Sequence, residues 1–428
     1  MFDTVAFRAT LAGFGILAAL CGYVLAPDRI YWVAISVFMI ASILAIKYRF
    51  RYLHPAVVFC TPWLAILLFS AIPISNLHQS LDARTYVLIL GAIFSWLLGI
   101  ALAKDVDVSA KKLMSPAPDA SSMLLLFAVC YGCFAAEVAV AGYIPIISLL
   151  LAGDSGYADF GLPTVHGAIL AYANALGVAA LYCYFQTGRR LYLGLYFSIL
   201  GILVATVTRQ SALTLLVETI IVRCFARAPL KISTVTYAGV AGLLAFSAFG
   251  ELRSGDILDI VKVAPEYEHL PKATVWAYAY SYFNAMNLQN MILNSGAPYF
   301  DGSMFNSLLP SLLRPPGAQE SFIVYASLTV TSYLDPVYRD VGLWGAVGIT
   351  FLIATFTARA YNKAIVDRSF APIATYACLY FCALMAFFIN FWFYLPVIFQ
   401  IPFFFIIQKI LFAKSPEGTR EAQIVPQS

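Results

Sequence analysis

The sequence is dominated by twelve apolar segments, each close to the length that crosses a lipid bilayer. A helix needs about 20 mostly apolar residues to span the hydrocarbon core, and backbone polar groups inside a bilayer must bond within their own segment. The twelve segments lie at 9–26, 30–46, 55–73, 85–103, 120–140, 165–186, 191–208, 211–226, 233–250, 341–358, 372–391 and 396–412. We therefore expect an all-α polytopic membrane protein with about 12 transmembrane helices.

Composition supports this class and argues against others. Hydrophobic residues make up 61% of the 428 residues and charged residues 11%, whereas an average soluble domain is about 25% charged. The net charge of +4 is small and its positive charges lie in short loops, so we expect no nucleic-acid partner. The first segment lacks a convincing cleavage site and is followed at once by another, which predicts a retained helix.

Cysteine and histidine give no sign of a metal site. The eight cysteines all fall in or at the ends of apolar segments, and Cys130 and Cys133 form a C-x-x-C pair without a second pair. Free thiols that pack between helices are the expected state of such residues. The four histidines lack the spacing of metal ligands. We expect no metal and no cofactor.

The distribution of positive charge predicts the orientation. With the N-terminus inside, 18 of the 26 Lys and Arg residues fall on the inner side. The outer side keeps eight, which are Arg29, Arg84, Arg209, Arg253, Lys262, Lys272, Arg314 and Arg339. The excess of positive charge on cytoplasmic loops then predicts a bacterial inner-membrane protein with both termini in the cytoplasm.

Two outer segments are longer than simple connections. The first, 141–163, contains an apolar stretch that is too short to cross and is expected to lie along the interface. The second, 251–340, is expected to be a large periplasmic loop with helices at Ala273–Asn294 and Ser303–Leu313. The predicted layout is helices 1–9 in residues 1–250, the loop at 251–340, helices 10–12 in 341–412 and a cytoplasmic tail at 413–428.

Single arginines are the outer groups best suited to bind phosphate. A guanidinium has a planar fork that matches phosphate oxygens and stays charged at any relevant pH. Arginines at helix ends also contact lipid headgroups or nearby carboxylates, and we prefer this reading for Arg29, Arg84 and Arg339, the last beside Asp335 and Asp340. Arg209 lies in a tight turn between two segments, which favours function, while both readings stay open for Arg253 and Arg314.

Carboxylates and one histidine in the loop are candidates for a general base. Transfer of a sugar from a phosphate requires a base for the acceptor hydroxyl and cationic help for the leaving phosphate. The candidates are Glu320, Asp335 and His269, with Asp256 and Asp301 possible but more typical of turns and caps because each adjoins a glycine. Glu137 and Glu218 lie within apolar segments near a membrane edge, from which their side chains could reach the surface. Carboxylates buried in a bilayer are often functional, but we expect these two to be structural.

Aromatic residues are dense in the loop. Trp276, Tyr280 and Tyr299 are candidates to contact sugar faces, although rings with a polar tip are also typical of the membrane interface. At this height in the membrane, the interface reading is the stronger of the two.

The order of these features resembles that of Wzy-type O-antigen or oligosaccharide repeat-unit polymerases. The stretches that carry the likeness are Gly142-Tyr143-Ile144-Pro145, Thr208-Arg209-Gln210-Ser211, Arg253-Ser254-Gly255-Asp256, the run from Leu309 to Pro316, and Gly342-Leu343-Trp344-Gly345. The resemblance covers most of the chain in layout, through short motifs.

The resemblance implies a fold similar to C-type glycosyltransferases and substrates that are undecaprenyl-pyrophosphate-linked oligosaccharides at the periplasmic face. The growing glycan would leave its carrier and join the next lipid-linked unit, without a nucleotide sugar or metal. Arg209 and Arg253 would hold the donor pyrophosphate and Arg314 would assist. A chain-length regulator protein is a possible partner.

Two other functions stay open. An O-antigen ligase would be expected to carry a catalytic histidine in this loop, where only His269 is available. A flippase or transporter of lipid-linked oligosaccharides would be expected to carry more ionisable residues in its spans.

Overall fold

The computed structural model describes residues 29–103, 113–114, 117–153, 156–157, 159–162, 164–309, 313–314 and 330–412. The first predicted span, Glu320 and the tail 413–428 lie outside these residues. Helices occupy the positions of the other eleven predicted segments. In chain order the described helices are α1 (Arg29–Ile46), α2 (Pro55–Phe69), α3 (Ala83–Leu102), α4 (Ala120–Ala141), α5 (Pro145–Ala152), α6 (His166–Thr187), α7 (Arg190–Ala205), α8 (Arg209–Ala226), α9 (Ile232–Ser254), α10 (Ile257–Ile260), α11 (Lys272–Tyr278), α12 (Asn284–Asn294), α13 (Leu334–Val366), α14 (Phe370–Met385), α15 (Leu395–Ile398) and α16 (Gln400–Phe412).

Five helical segments of the described chain are long and apolar enough to cross a membrane. They are α3, α4, α6, α13 and the joined α15–α16 segment. Five shorter apolar helices accompany them, at Trp32–Ile46, Pro55–Phe69, Arg190–Ala205, Ile232–Ala248 and Phe370–Met385. The chain is therefore a helical membrane protein, as its sequence predicts.

Local sequence explains where several of these helices begin. Asp82 and Asp119 stand before α3 and α4, and each carboxylate accepts a hydrogen bond from the backbone N–H two residues on. Such caps satisfy N–H groups that have no partner inside the helix. Pro55 opens α2 at a position where a missing N–H costs nothing.

The helix α14 lies at the centre of the bundle. Almost every residue from Phe370 to Ala383 is buried, because α2, α8, α13 and α16 pack around it. The helices α4 and α9 lie at the periphery and leave much of their apolar surface exposed. In a bilayer that surface faces lipid.

The helices α3 and α13 pack closely against each other. Glycines on α3 allow this approach, since a Cβ at Gly99 would lie 2.7 Å from the Phe351 carbonyl oxygen. Small residues that let backbones approach are typical of helix contacts in membranes.

The segments that connect the helices lie at two opposite ends of the bundle, where hydrogen bonds hold them together. At the first, the short-loop end, Tyr376 and Tyr380 donate to the carbonyls of Leu53 and Tyr52. Strands β1 (Leu113–Met114) and β2 (Asp367–Arg368) also pair there in parallel. At the second, the long-segment end, the described parts of the chain between 255 and 333 meet the other loops through the Ser75–Val263 bridge and the bond from Leu395 N to Ser307 O.

The long segment differs from its prediction in two ways. The predicted helix Ala273–Asn294 is confirmed, as α11 and α12 joined through a π-helical turn at Ala279–Phe283, but it is largely buried. The predicted helix Ser303–Leu313 is wrong over the described part, where the 3-10 turn Ser303–Phe305 is followed by further turns and not by an α-helix. Asp340 accepts hydrogen bonds from the backbone N–H groups of Ser303 and Met304 and so fixes the start of this turn.

Candidate functional site

The long-segment end carries all of the sequence-predicted site residues that fall among the described residues. The helix α8 begins at Arg209, and α9 ends one residue after Arg253. Both helices have their opposite ends near the short-loop end, where Tyr52 contacts Cys224 and Leu230. Their directions therefore place the backbones of Arg209 and Arg253 at the same end of the bundle as the long segment.

A charged cluster fixes the turn that carries Arg253. Lys272 Nζ lies 2.6 Å from Glu251 Oε2 and 2.8 Å from Asp256 Oδ2. Trp276 Nε1 donates to Glu251 Oε1 at 3.0 Å. The pKa of Asp256 is lowered, and that of Lys272 raised, by their mutual hydrogen bond. The cluster thus ties the last turn of α9 to the start of α11.

The hydrogen bond to Glu251 and the packing around it make Trp276 a structural residue. Its side chain is only 2% exposed, and its indole packs against Gly250 while bonding to Glu251. A sugar cannot reach its ring faces in this arrangement, which corrects the expectation that Trp276 contacts the glycan. Tyr280 is half-buried between Phe246 and Phe388, whereas Tyr299 is 78% exposed.

Two carboxylates near the start of α13 have filled hydrogen-bond shells. Asp335 pairs with Arg339, whose Nε lies 2.6 Å from Asp335 Oδ1, and Thr331 donates to the other oxygen at 2.8 Å. This pairing is the one we expected for Arg339. Asp335 is 5% exposed. A general base at this position would first have to separate from Arg339.

The second carboxylate, Asp340, holds the 3-10 turn in place. It accepts from the backbone N–H groups of Ser303 and Met304 and from the Ser303 hydroxyl at 2.7 Å. Asp301 lies in hydrogen-bond contact with it, and the bond from the Ser303 N–H lowers the pKa of Asp301. The pair is a structural anchor, because its oxygens point at the turn rather than at open space.

His269 lies exposed in the turn that follows the 3-10 helix Pro265–Tyr267, ahead of α11. Its position leaves the ring accessible from solvent. Glu320 lies outside the described residues, so no geometry can be given for it.

An apolar groove starts directly below the 3-10 turn. It has a volume of about 570 Å³ and runs between α13, α14 and the α15–α16 segment, with Leu308 at its upper end. Its walls include Leu352, Phe356, Leu379, Phe399 and Pro402. Leu352 and Phe356 are more than half exposed, so the groove opens sideways to the membrane.

Arg314 lies close to the upper end of this groove. Its Nε donates to the carbonyl of Leu309, the neighbour of Leu308, at 2.9 Å, and its side chain is exposed. Burial raises the pKa of Tyr394, and the positive charge of Arg314 opposes that rise. The arrangement places an exposed guanidinium group close to the end of an apolar groove.

Two carboxylates inside the bundle were not predicted correctly. Glu137 and Glu218 do not reach the surface, since their exposed fractions are 1% and 0%. Glu137 Oε1 lies 2.8 Å from His166 Nδ1 and accepts from Leu162 N. Glu218 faces Gln400 and Cys378. Only the rarity of carboxylates in apolar segments marked these residues in the sequence, and it gave no partners.

Among the described residues, no group of three or more His, Cys, Asp or Glu side chains is arranged to hold a metal ion. In comparisons with known proteins, no family model, curated protein or solved structure matches the chain.

Proposed function

We propose that the chain is a glycosyltransferase that polymerises undecaprenyl-pyrophosphate-linked oligosaccharide repeat units into O-antigen or a related surface polysaccharide. It acts at the periplasmic face of the bacterial inner membrane, with about 12 helices in a C-type glycosyltransferase-like arrangement and both termini in the cytoplasm. The long segment then forms the periplasmic surface.

The observation that carries the proposal is the apolar groove with Arg314 at its upper end. A lipid-linked diphosphate needs an apolar channel open to the bilayer, so that its polyprenyl chain can enter sideways, and a cation where the chain meets its headgroup. The groove volume of about 570 Å³ falls in the range of ligand sites, roughly 300–1,000 Å³. Its lining is apolar from Leu308 to Pro402, which suits a hydrocarbon and excludes a free sugar.

The chemistry follows from the charges that surround the headgroup. A hydroxyl of the incoming unit attacks the anomeric carbon of the growing chain, the bond from that carbon to the phosphate oxygen breaks, and undecaprenyl pyrophosphate leaves. Arg209, Arg253 and Arg314 stabilise the negative charge that develops on the leaving diphosphate. A base takes the hydroxyl proton, and the closed ion pair of Asp335 with Arg339 leaves Glu320 and His269 as the stronger candidates.

Because Trp276 is buried, two of the three aromatic candidates for contact with the glycan remain. Tyr299, which is exposed beside the start of α13, and the half-buried Tyr280 are the remaining candidates to contact the glycan. A chain-length regulator would meet the protein at this same end.

The test uses a strain that lacks the gene, complemented with variants. Arg209→Ala and Arg253→Ala are expected to abolish polymer, with single repeat units still reaching the surface. Arg84→Ala is the matched control, because Arg84 is an exposed arginine at the same bundle end, on the first turn of α3. It should leave polymer length unchanged.

The deletion strain separates the alternatives. Loss of a polymerase leaves single units at the surface, loss of a ligase leaves long polymer on its carrier, and loss of a flippase strands lipid-linked units inside. Polymer of normal length in both Arg209→Ala and Arg253→Ala would count decisively against the proposal.

A further inference from the structure

Glu218 is a fully buried carboxyl group inside the bundle. It lies on α8 with an exposed fraction of 0%, and its side-chain partners are Gln400 on α16 and the Cys378 thiol on α14. Within the described residues it takes part in no ion pair, since the four pairs found there involve other carboxylates. A buried carboxylate without a cation is so unfavourable that the neutral acid normally forms.

The Gln400 amide is the group that contacts Glu218 from α16. One terminal atom of this amide lies 3.2 and 2.9 Å from the two oxygens of Glu218. An amide has one donor end and one acceptor end. With its NH₂ end toward Glu218, the amide donates to the carboxyl group at these distances.

This hydrogen bond brings no positive charge to Glu218, so full burial without a cation favours the neutral acid. The Gln400 side chain is itself 0% exposed, so an acceptor facing an acceptor there would be costly.

Gln400 does not itself line the groove, but it lies between two residues that do. Its neighbours Phe399 and Ile401 both line the apolar groove. Glu218 therefore holds the wall of the groove at the joint between α15 and α16. It lies on the helix that begins at Arg209, so one contact fixes the groove wall against the helix that carries a proposed diphosphate ligand.

We infer that Glu218 is a neutral carboxylic acid and a positioning residue, whose hydrogen bond to Gln400 sets the wall of a groove for a polyprenyl chain. The identity of that chain rests on the proposed function, whereas the protonation state does not. The titratable group that faces Glu218 is the Cys378 thiol, and Gln400 faces it from α16.

The protonation state is tested by infrared spectroscopy on the purified full-length protein between pH 7 and pH 9. The spectrum is expected to contain the C=O stretch of a protonated carboxylic acid, shifted in deuterated water and lost in Glu218→Gln. Glu137→Gln is the matched control, because Glu137 is equally buried but faces His166. Loss of a carboxylate band instead, in Glu218→Gln, would overturn the inference.

The positioning role is tested with polyprenyl phosphate added to the detergent-purified protein. Glu218→Gln keeps an amide that can bond to Gln400 and should bind the lipid as the wild type does. Glu218→Ala and Gln400→Leu should each bind about fivefold more weakly, since loss of one buried hydrogen bond is worth roughly that factor. Wild-type binding by a folded Glu218→Ala variant would refute the positioning role.

The two experiments fail separately from the proposed function. If the infrared band is present and no variant binds polyprenyl phosphate, the ligand assignment is wrong and the neutral acid stands. If Glu218→Ala does not fold, Gln400→Leu tests the same contact from its other side.

Discussion

The close approach of α3 and α13 makes a quantitative prediction for Gly99→Ala. The added Cβ would lie 2.7 Å from the Phe351 carbonyl oxygen, 2.9 Å from Ala354 Cβ and 3.1 Å from Thr355 Oγ1. An ordinary carbon–oxygen contact is about 3.3–3.6 Å, so the helices must separate by roughly 0.6 Å. Two of the three atoms belong to backbone or to a short rigid side chain, so they cannot turn away.

Overpacking of this kind costs about 1–3 kcal/mol. Alanine recovers roughly 0.5–1 kcal/mol of helix propensity. The expected net loss is therefore about 1–2 kcal/mol, seen as a lower Tm by roughly 1–2 °C in thermal unfolding of the detergent-purified protein.

Gly201→Ala is the matched control on α7, because a Cβ there has nothing within 4 Å. It gains the helix propensity without the clash and should raise or maintain the Tm. If Gly99→Ala melts at or above Gly201→Ala, the tight contact between α3 and α13 is not present in the protein.

Two further predictions concern charged groups at opposite bundle ends. Burial, with the charges of Arg51 and Lys47, lowers the pKa of His54 to about 4. Below pH 6.5 the unfolded chain therefore binds more protons than the folded chain. The contribution of His54 to the free energy of unfolding is full above that pH and falls by up to about 2–3 kcal/mol as the pH approaches 4. His54→Asn keeps an acceptor for the bond that His54 Nδ1 takes from Ala56 N but cannot titrate, so its Tm should fall less than that of the wild type in this range, and equal falls would contradict the assignment. Lys272→Met removes the cation between Glu251 and Asp256, and faster hydrogen–deuterium exchange is expected at the end of α9, with Lys272→Arg close to wild type; unchanged exchange in Lys272→Met would show that the cluster does not hold this turn.

The helices themselves could be predicted from the sequence because their signal is local. A run of about 20 apolar residues can satisfy its backbone only as a helix in a bilayer, and eleven such runs coincide with helices in the described chain. The helical stretch formed by α11 and α12 was also predictable, since its amphipathic sequence ends at Ser295 and Gly296.

Contacts between distant residues could not be predicted in this way. Gln400 is 182 residues from Glu218 in the sequence, and no local pattern indicates which helix faces it. Trp276 has the composition of an interface residue, yet Glu251 and Gly250 on another helix decide its burial. The contact that fixes the 3-10 turn at Ser303–Phe305 is of the same kind, since Asp340 on α13 accepts from its first N–H groups.

The helix α13 is interrupted at Gly342, and this interruption has a consequence for the history of the chain. Gly342 has φ 67° and ψ −170°, a backbone conformation essentially open to glycine alone. A Cβ there would also meet the Pro298 ring at 2.9 Å. The backbone conformation and the Pro298 ring therefore both exclude a larger residue at position 342, while the lipid-facing residues around it are free to vary. Descendants of a common ancestor that keep this break must keep the glycine, however little else of their sequences they still share.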